Sequence, residues 1–376
     1  MRCFNLLVIL SVVLCTASAS AYAGQLLYVA SPKEKAVLAY EVHADSGELE
    51  LRFRHDLQAA PGPMAFSPDR SFIYVALSGV EDIGAAAATF ARGKDGTLTL
   101  KGTAAIKAGS PYIQCSKDGR CLLSAYYGAG DVTVYRITDG VCTKQLLDHQ
   151  KTATKAHCIE LDPSGRFVFV PHTGPNRVYQ FRFDSNSGKL LPNNPPFVEG
   201  PDEDHLYHQP RHYAHHPKLD MAYTSNEKGG GISAWKFDPA SGKLELVQTL
   251  SSLPPDYEGE SAAADIHVTP DGRFVYVSNR DVTTRPQDQG QQDTLAGFAL
   301  DADTGRMKLI GHVPTVNFPR SFCIDVTGNY VFAAGQRTTE LFAYQIDHHS
   351  GRLELLKKYE TGGNPIWVMC ADAELD

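Results

Sequence analysis

The sequence has 376 residues with a formal net charge of −8, and 43% of the residues are hydrophobic. That length is enough for one large domain or two ordinary ones. The acidic excess is small and no block of Lys and Arg stands out, so the composition argues against a nucleic-acid partner. Beyond the N-terminus, no apolar run reaches the roughly eighteen residues of a membrane-spanning helix.

The first 23 residues have the layout of a secretory signal peptide. Arg2 supplies a positive start, residues 6–15 form an apolar run, and small residues at 21 and 23 mark a cleavage site before Gly24. Cleavage after residue 19 or 21 fits the same pattern. The sequence therefore predicts an exported protein, periplasmic or secreted. Its mature part, residues 24–376, is expected to be one soluble domain without membrane contact.

A turn built on glycine recurs through the mature chain and determines the predicted fold. Each copy is Ser, Thr or Asp followed by Gly, and a strand-like segment comes after it. The glycines, 44 to 63 residues apart, are Gly47, Gly96, Gly140, Gly188, Gly242, Gly305 and Gly351. Seven copies with a period near fifty residues are typical of a β-propeller.

Each period also contains the same set of strand-like runs. A β-branched and aromatic run such as residues 274–277 follows a turn such as 269–273, and an alternating run such as 132–137 comes after a loop. The sequence therefore predicts an all-β fold, a seven-bladed β-propeller of four-stranded antiparallel blades. Residues 26–29 and 365–369 are expected to pair in one blade, so that the N- and C-terminal segments close the ring.

Six cysteines belong to the mature chain. Cys115 and Cys121 flank a predicted hairpin turn, which would let them face each other across two strands, and a disulfide is permitted in an exported protein. We expect the other four to be small buried side chains. No Cys and His spacing resembles a zinc site, and no loop has calcium-ligand spacing, so no metal is expected.

Polar residues interrupt the strand pattern where we expect the mouth of the central channel. If the first strand of each blade crosses the disc and the second returns, the start of the first and the end of the second share one face. Charged side chains there would be costly without partners, which marks them as functional candidates. The candidates are Tyr127, His157, Arg211, His212, Glu227, Asp265, His267, Arg280, Arg320 and Gln336. Together they predict an anion-binding pocket capable of acid–base chemistry.

Structural roles are the alternative interpretation of several candidates. Asp265 and His267 alternate along one strand, so one of them can instead brace the inner ring through hydrogen bonds. The arginines around Glu227 can form an ion-pair network that only joins blades. His157 can be a core histidine whose hydrogen bonds are satisfied.

Several short runs along the chain carry a family resemblance. They are Ala-His at 156–157, Gln-Pro-Arg-His at 209–212, Asn-Glu at 226–227, the run 264–273, Phe-Pro-Arg at 318–320, Ala-Gly-Gln at 334–336 and Asn-Pro-Ile-Trp-Val at 364–368. These runs resemble the propeller-type 6-phosphogluconolactonases, and the resemblance covers essentially the whole mature chain in order. The wider family includes fungal carboxymuconate-lactonizing enzymes with the same propeller and a similar mouth.

The resemblance implies hydrolysis of a sugar-acid lactone without a metal or other cofactor. A base would activate water, and cationic donors would stabilise the oxyanion. Either His157 or Glu227 is expected to be that base, with Arg211 and Arg280 completing the catalytic set. No Gly-x-Ser-x-Gly elbow occurs, which favours attack by water. The expected substrate-binding residues are Tyr127, His212, Asp265, His267, Arg320 and Gln336.

Export would set this chain apart from the family's namesake enzymes, which act on a cytosolic metabolite. It favours an unphosphorylated aldonolactone over 6-phosphogluconolactone as the substrate. Two other functions are compatible with the sequence, a carboxymuconate-type lactonizing cycloisomerase and a non-catalytic binding propeller. For the lactonase, a small-molecule lactone is the expected partner and a monomer is the expected state.

Overall fold

A computed structural model of the protein describes residues 24–204, 207–284 and 290–373. Within these ranges the chain forms 28 β-strands, arranged in four-stranded antiparallel blades. The predicted all-β, seven-bladed propeller is confirmed. The predicted signal peptide, residues 1–23, lies outside the described residues. None of the described segments is a helix long and apolar enough to cross a membrane.

We number the blades in chain order, and blade 7 contains strands from both ends of the chain. Its N-terminal strands are β1 (Gln25–Ser31), β2 (Ala36–Val42) and β3 (Leu49–Asp56). Blades 1 to 3 contain β4 (Ala60–Phe66), β5 (Phe72–Val80), β6 (Gly84–Arg92), β7 (Leu98–Ala105); β8 (Tyr112–Cys115), β9 (Cys121–Tyr126), β10 (Asp131–Thr138), β11 (Val141–Lys151); and β12 (Glu160–Leu161), β13 (Phe167–His172), β14 (Arg177–Asp184), β15 (Lys189–Glu199).

The remaining blades follow the same order. Blades 4 to 6 contain β16 (His208–His215), β17 (Met221–Lys228), β18 (Gly231–Asp238), β19 (Lys243–Ser251); β20 (Ser261–Val268), β21 (Phe274–Asp281), β22 (Thr294–Leu300), β23 (Met307–Pro314); and β24 (Pro319–Ile324), β25 (Tyr330–Gly335), β26 (Glu340–Ile346), β27 (Leu353–Glu360). The last strand is β28 (Trp367–Asp372), which pairs antiparallel with β1 and is the innermost strand of blade 7.

The recurring glycine turn makes a contact between neighbouring blades. Gly140 has a φ of 77°, and a Cβ atom at this position would lie 2.2 Å from the ring of Phe72 in blade 1. Its carbonyl accepts a hydrogen bond of 2.9 Å from the hydroxyl of Tyr74. Gly351 of blade 6 accepts the equivalent bond from Tyr276 of blade 5 (2.8 Å). Only glycine adopts this conformation freely while leaving room for the ring, which explains the repeat.

Apolar side chains fill the spaces between the blades. Within the described ranges there are seven clusters of buried hydrophobic residues, one between each pair of neighbouring blades. In the cluster between blades 7 and 1, for example, Tyr28 and Val37 pack with Ile73 and Val75. Since the flat faces of the sheets are used in this way, the innermost strands present their edges to the central channel.

The expectation that Cys115 and Cys121 face each other is wrong. Cys115 lies opposite Leu122 in the register of β8 and β9. Cys121 lies opposite Ser116, whose backbone N–H donates to the Cys121 carbonyl (2.8 Å). All six cysteines of the described chain are buried thiols, so the expected burial of the other four is confirmed.

Candidate active site

The innermost strands of blades 3 to 6 are irregular at one common level of the channel. Register shifts occur between Pro210 and Tyr213 in β16, between Ala263 and Ile266 in β20, and between Pro319 and Ser321 in β24. In blade 3 the strand predicted to start at His157 is broken. There, β12 has only two residues, and residues 157–159 separate it from an isolated bridge at Ala156.

These irregularities contain five of the candidate residues. They are His157, Arg211, His212, Asp265 and Arg320. A β-bulge takes its residues out of the regular alternation between the two faces of a sheet and re-aims their side chains. The repeated bulge therefore explains how charged side chains from four blades reach the channel without entering the apolar clusters between blades.

A cavity of about 460 Å³ opens at the end of the channel where the first strands begin. Two candidates line it, Tyr127 and Glu227. The residues that line it but are not predicted from the sequence include Lys155, Thr173, Lys228 and Tyr257. Lys228 ends β17, and Lys155 immediately precedes the bridge at Ala156. Both lysines therefore occupy positions of the kind predicted to surround the mouth, the end of a second strand and the start of a first strand.

Glu227 is the acidic centre of this mouth. Its Oε1 accepts a hydrogen bond of 3.0 Å from Nη2 of Arg280, and its Oε2 lies 3.9 Å from Nε of Arg211. The Glu227 side chain is 24% exposed, whereas that of Arg211 is fully buried. Arg280 is also held by the backbone carbonyls of Ala262 (3.1 Å) and Ala263 (3.3 Å). One oxygen of Glu227 is therefore fixed, and the other is buried without a hydrogen-bond partner in the described chain.

Several buried polar atoms at this level have no hydrogen-bond partner within the described chain. They are Nε, Nη1 and Nη2 of Arg211, Oε2 of Glu227, Nδ1 of His157, Nε2 of His212 and Oε1 of Gln336. Burying such groups unpaired costs about 1–3 kcal/mol each, and native proteins contain few of them. Their concentration around Glu227 indicates a site built to meet a polar ligand.

The electrostatic environment keeps Glu227 ionised and His157 neutral. Burial alone would raise the pKa of Glu227, but Arg211 and Arg280 outweigh it and lower the pKa below its ordinary value. Burial, followed by the charge of Arg211, holds the pKa of His157 well below its usual range. Near neutral pH the mouth therefore contains a carboxylate and an uncharged imidazole.

The arginines of the site repel one another. Burial lowers the pKa of Arg211 well below its usual range, and the neighbouring charges of Arg280 and Arg320 lower it further. The same causes, burial and then Arg280, lower the pKa of Arg320 to about 10. An anionic group that bound among these three cations would relieve both their mutual repulsion and their poor solvation.

Aromatic side chains and one amide complete the mouth. Tyr127 is 38% exposed, and its ring packs edge-on against that of His157 with centroids 5.5 Å apart. Gln336 directly follows β25, and its backbone N–H donates to the carbonyl of Phe318 (3.0 Å). The ring of Phe318, which was not selected from the sequence, lies 5.1 Å from the guanidinium carbon of Arg280. This cation–π contact gives Phe318 a role in positioning Arg280.

His212 and Asp265 form a buried pair deeper in the channel. Nδ1 of His212 lies 2.8 Å from Oδ1 of Asp265, and the backbone N–H of Phe322 donates to Oδ2 (3.1 Å). The ring of His212 is 5.2 Å from that of His157. Asp265 therefore braces the inner ring, one of the alternatives allowed by the sequence, and the unpartnered Nε2 of His212 belongs to the same polar cluster.

His267 lies at the opposite end of the channel from the mouth. It follows Asp265 by two residues along β20, which crosses the disc, and it lines the cavities that also contain Tyr112 and Asp265. Its Nε2 is 3.4 Å from Oδ2 of Asp265. The structure thus separates His267 from Glu227 and Tyr127, with which the sequence analysis grouped it.

Glu160 is the acidic residue of that opposite end. It accepts hydrogen bonds from the hydroxyl of Tyr112 (3.1 Å) and from Nε2 of Gln114 (2.7 Å). Burial raises the pKa of Glu160 to about 7, with Lys117 acting in the other direction. The folded protein consequently binds this proton more tightly than the unfolded chain, whose glutamate has a pKa of about 4.3.

The free energy of unfolding is therefore expected to decrease as the pH rises from about 4.5 to 7, because Glu160 loses its proton less readily in the folded protein than in the unfolded chain. We expect Glu160→Gln to be more stable than the wild type by about 1–2 kcal/mol at pH 8 and equal to it at pH 4.5. Urea unfolding at both pH values measures the difference, with the exposed Glu354→Gln as the control. A Glu160→Gln effect that is the same at both pH values would contradict this prediction.

Across the described ranges, no group of three or more His, Cys, Asp or Glu side chains is arranged to hold a metal ion. The polar atoms that lack partners are instead dominated by the three nitrogens of Arg211. Such donors suit a carboxylate, a phosphate or a developing oxyanion.

Comparison with known proteins gives a consistent result. Residues 22–370 match the family described as lactonase, 7-bladed β-propeller. The 6-phosphogluconolactonase of Serratia proteamaculans is 32% identical over 345 residues, which cover 92% of this chain and 98% of that protein. The 6-phosphogluconolactonase of Yersinia pestis is 31% identical over 350 residues, covering 93% and 99% of the two chains.

Solved structures share the fold at lower sequence identity. The periplasmic gluconolactonase of Pseudomonas aeruginosa superposes with a TM-score of 0.82 at 22% identity, covering 94% of this chain and 100% of that one. A protein from Lactobacillus plantarum gives a TM-score of 0.78 at 24% identity, covering 93% and 99%. These likenesses concern the propeller architecture.

Proposed function

This chain belongs to the seven-bladed β-propeller lactonase family, and we propose that it hydrolyses the ring ester of a sugar-acid lactone. Two relatives that are more than 30% identical over nearly the whole chain are 6-phosphogluconolactonases. The structural observation that supports the proposal most strongly concerns the side chains of the mouth. A fully buried Arg211 offers three unpartnered nitrogens beside the unpartnered Oε2 of Glu227.

In the proposed reaction, water attacks the lactone carbonyl and the ring C–O bond then breaks. Oε2 of Glu227 takes a proton from the attacking water, because Oε1 is already fixed by Arg280 whereas Oε2 has no hydrogen-bond partner in the described chain. Arg211 stabilises the oxyanion that forms on the carbonyl oxygen, with Arg320 contributing positive charge. The ring oxygen takes up the proton as it leaves, and the product is a hydroxy acid.

His157 is proposed to contact the substrate as a neutral imidazole. Its low pKa makes it a poor acceptor of the water proton near neutral pH, whereas its unpartnered Nδ1 can form a hydrogen bond with the substrate. Tyr127, packed edge-on against His157, forms one wall of the proposed binding site. We place His212, Asp265 and Gln336 in support of this arrangement, and His267 outside it.

The non-catalytic alternative is less well supported. A purely structural ion-pair network would have its buried arginines fully paired by hydrogen bonds. Arg211 instead lies 3.9 Å from Glu227 without a hydrogen bond, and Glu227 is partly exposed. The cost of leaving these groups unsatisfied has a simple explanation if a ligand completes them.

The proposal is tested by acid release from glucono-δ-lactone and from 6-phosphogluconolactone, followed in a pH-stat with protein lacking residues 1–23. We expect the wild type and the exposed-surface control Glu354→Ala to exceed the spontaneous rate, and Glu227→Ala to lose that excess. Faster opening of the unphosphorylated lactone would support an aldonolactone substrate. If neither lactone is opened faster than in buffer, lactone hydrolysis is wrong, and carboxymuconate lactonisation is the next reaction to assay.

Export and a monomeric state are further parts of the proposal. Export is supported by the signal-like layout of residues 1–23. Expression of the full chain in a Gram-negative host should release a periplasmic protein whose N-terminus is Gly24 or lies a few residues before it, as read by mass spectrometry. A full-length cytoplasmic product would contradict export without affecting the proposed chemistry.

A further inference from the structure

Two buried cysteines lie in contact at the closure of the propeller. The Sγ atoms of Cys323 and Cys370 are 3.5 Å apart. Both side chains are buried, and among the six cysteines of the described chain no other pair has its sulfurs in contact. We propose that Cys323 and Cys370 form a disulfide bond in the exported protein.

The contact is built into the packing of two neighbouring innermost strands. Cys323 belongs to β24 of blade 6, and Cys370 belongs to β28 of blade 7. Two residues earlier on each strand, the backbone N–H of Val368 donates to Oγ of Ser321 (3.4 Å). Side chains two residues apart point to the same face of a strand. The two pairs are therefore successive contacts of one interface rather than an isolated approach.

The geometry requires only a small adjustment. A disulfide bond is about 2.0 Å long, so each sulfur must move by less than about 1 Å, which a change in side-chain torsion supplies. The surroundings are apolar, with Leu27 and Phe332 in the same buried cluster. Neither sulfur lines the mouth cavity, so the bond would not interfere with the proposed catalytic site.

Oxidation must take place during folding. Burial raises the pKa of the Cys323 thiol well above its usual range, so this side chain presents almost no thiolate for exchange in the folded protein. In the unfolded chain the thiolate of one cysteine attacks the disulfide of an oxidoreductase in the exporting compartment. The second cysteine then displaces the reduced enzyme. Two protons and two electrons leave the chain, and one disulfide of the oxidant becomes a dithiol.

The bond would join parts of the molecule that also support the site. Cys323 and Cys370 are 47 residues apart in sequence, and the segment between them contains the other three strands of blade 6. The strand β24 also contains Arg320 and the amide of Phe322 that donates to Asp265. A covalent link here reduces the freedom of the unfolded chain and fastens the last strand to its neighbour.

The test is a thiol count on protein refolded from denaturant in a buffer of reduced and oxidised glutathione, compared with protein isolated from the periplasm. Alkylation under denaturing conditions should modify four of the six cysteines. Peptide mapping should identify one linked pair, Cys323 with Cys370. Thermal unfolding of this oxidised form is expected to occur roughly 5 °C lower after reduction.

The double variant Cys323→Ala/Cys370→Ala should unfold at a temperature that reductant does not change, whereas the control Cys142→Ala should keep the sensitivity of the wild type. Six alkylated cysteines after glutathione refolding would overturn the proposal, as would linkage of any other pair. The refolding arm does not depend on export, and neither readout depends on lactonase activity. Failure of this proposal is therefore distinguishable from failure of the proposed function.

Discussion

Replacing Arg211 by methionine is expected to abolish most of the activity and to make the protein more stable. The guanidinium is fully buried and its three nitrogens have no hydrogen-bond partner in the described chain. Loss of one oxyanion donor typically lowers kcat by about 10²–10³-fold. Arg211 is repelled by Arg280 and Arg320, and Glu227 keeps its hydrogen bond from Arg280 when Arg211 is removed. Replacing a whole buried ion pair by apolar side chains is often neutral or stabilising, by about 1–4 kcal/mol, because the cost of desolvating the charges exceeds the gain from pairing them. Function and stability should therefore change in opposite directions.

The measurement combines kcat/KM for the lactone with the free energy of unfolding in urea, for the wild type, Arg211→Met and the exposed-surface control Arg306→Met. The control should match the wild type in activity. Glu227 keeps its hydrogen bond from Arg280 in the variant, so the mouth retains one ion pair. If Arg211→Met lost stability together with activity, Arg211 would have a structural role. If activity survived, Arg211 would lie outside the reaction.

Replacing Glu227 by glutamine is expected to lower kcat by about 10²–10⁴-fold with a small change in KM, because general-base catalysis contributes on that scale. The amide keeps the size of the side chain and can still accept a hydrogen bond from Arg280, but it cannot take a proton from water. We expect Glu227→Asp to recover part of the activity. Thermal unfolding of each variant checks that the loss is chemical, since the substitution also leaves two arginines without their anion.

The pH dependence of the wild type follows from the same group. Arg211 and Arg280 lower the pKa of Glu227, so the base stays ionised down to pH values below about 4.3, the ordinary value for glutamate. We therefore expect a plot of kcat against pH to show no decrease on the acid side within the range of about pH 5 to 8.

The variant His157→Asn separates the two candidate bases, because the pKa of His157 is also lowered and a pH profile alone does not distinguish them. A moderate loss in His157→Asn, beside a large loss in Glu227→Gln, supports Glu227 as the base. The reverse order of losses would assign the base to His157.

The propeller could be predicted because its signals are local and repeated. Gly140 and Gly351 adopt a backbone conformation that few other residues tolerate, and each leaves room for an aromatic ring of the preceding blade. Such a requirement restricts the residue type at one position in every blade, so it appears in the sequence as a period. The neighbourhood of Arg211, Glu227 and Arg280 could be anticipated in the same way, since the ends of the first and second strands of a blade share one face.

The other features of the site depended on the exact register between paired strands. Bulges at Arg211, Asp265 and Arg320 arise from the register of each strand with its partner, which residue types alone do not reveal. The sequence shows the blade of His267 but not its depth along the channel, so the sequence alone does not separate His267 from the residues of the mouth.

The sequence alone was therefore enough to predict the architecture, the order of the blades and the set of polar residues near the channel. Which of these groups remain unpartnered and which are braced depends on the three-dimensional packing. Nε of Arg211 lies 3.9 Å from the carboxylate of Glu227 and makes no hydrogen bond, whereas Nδ1 of His212 lies 2.8 Å from Oδ1 of Asp265. The same holds for Cys323 and Cys370, which belong to different blades and meet through packing. Periodicity reports what each blade needs locally, whereas contacts between blades depend on how the whole ring closes.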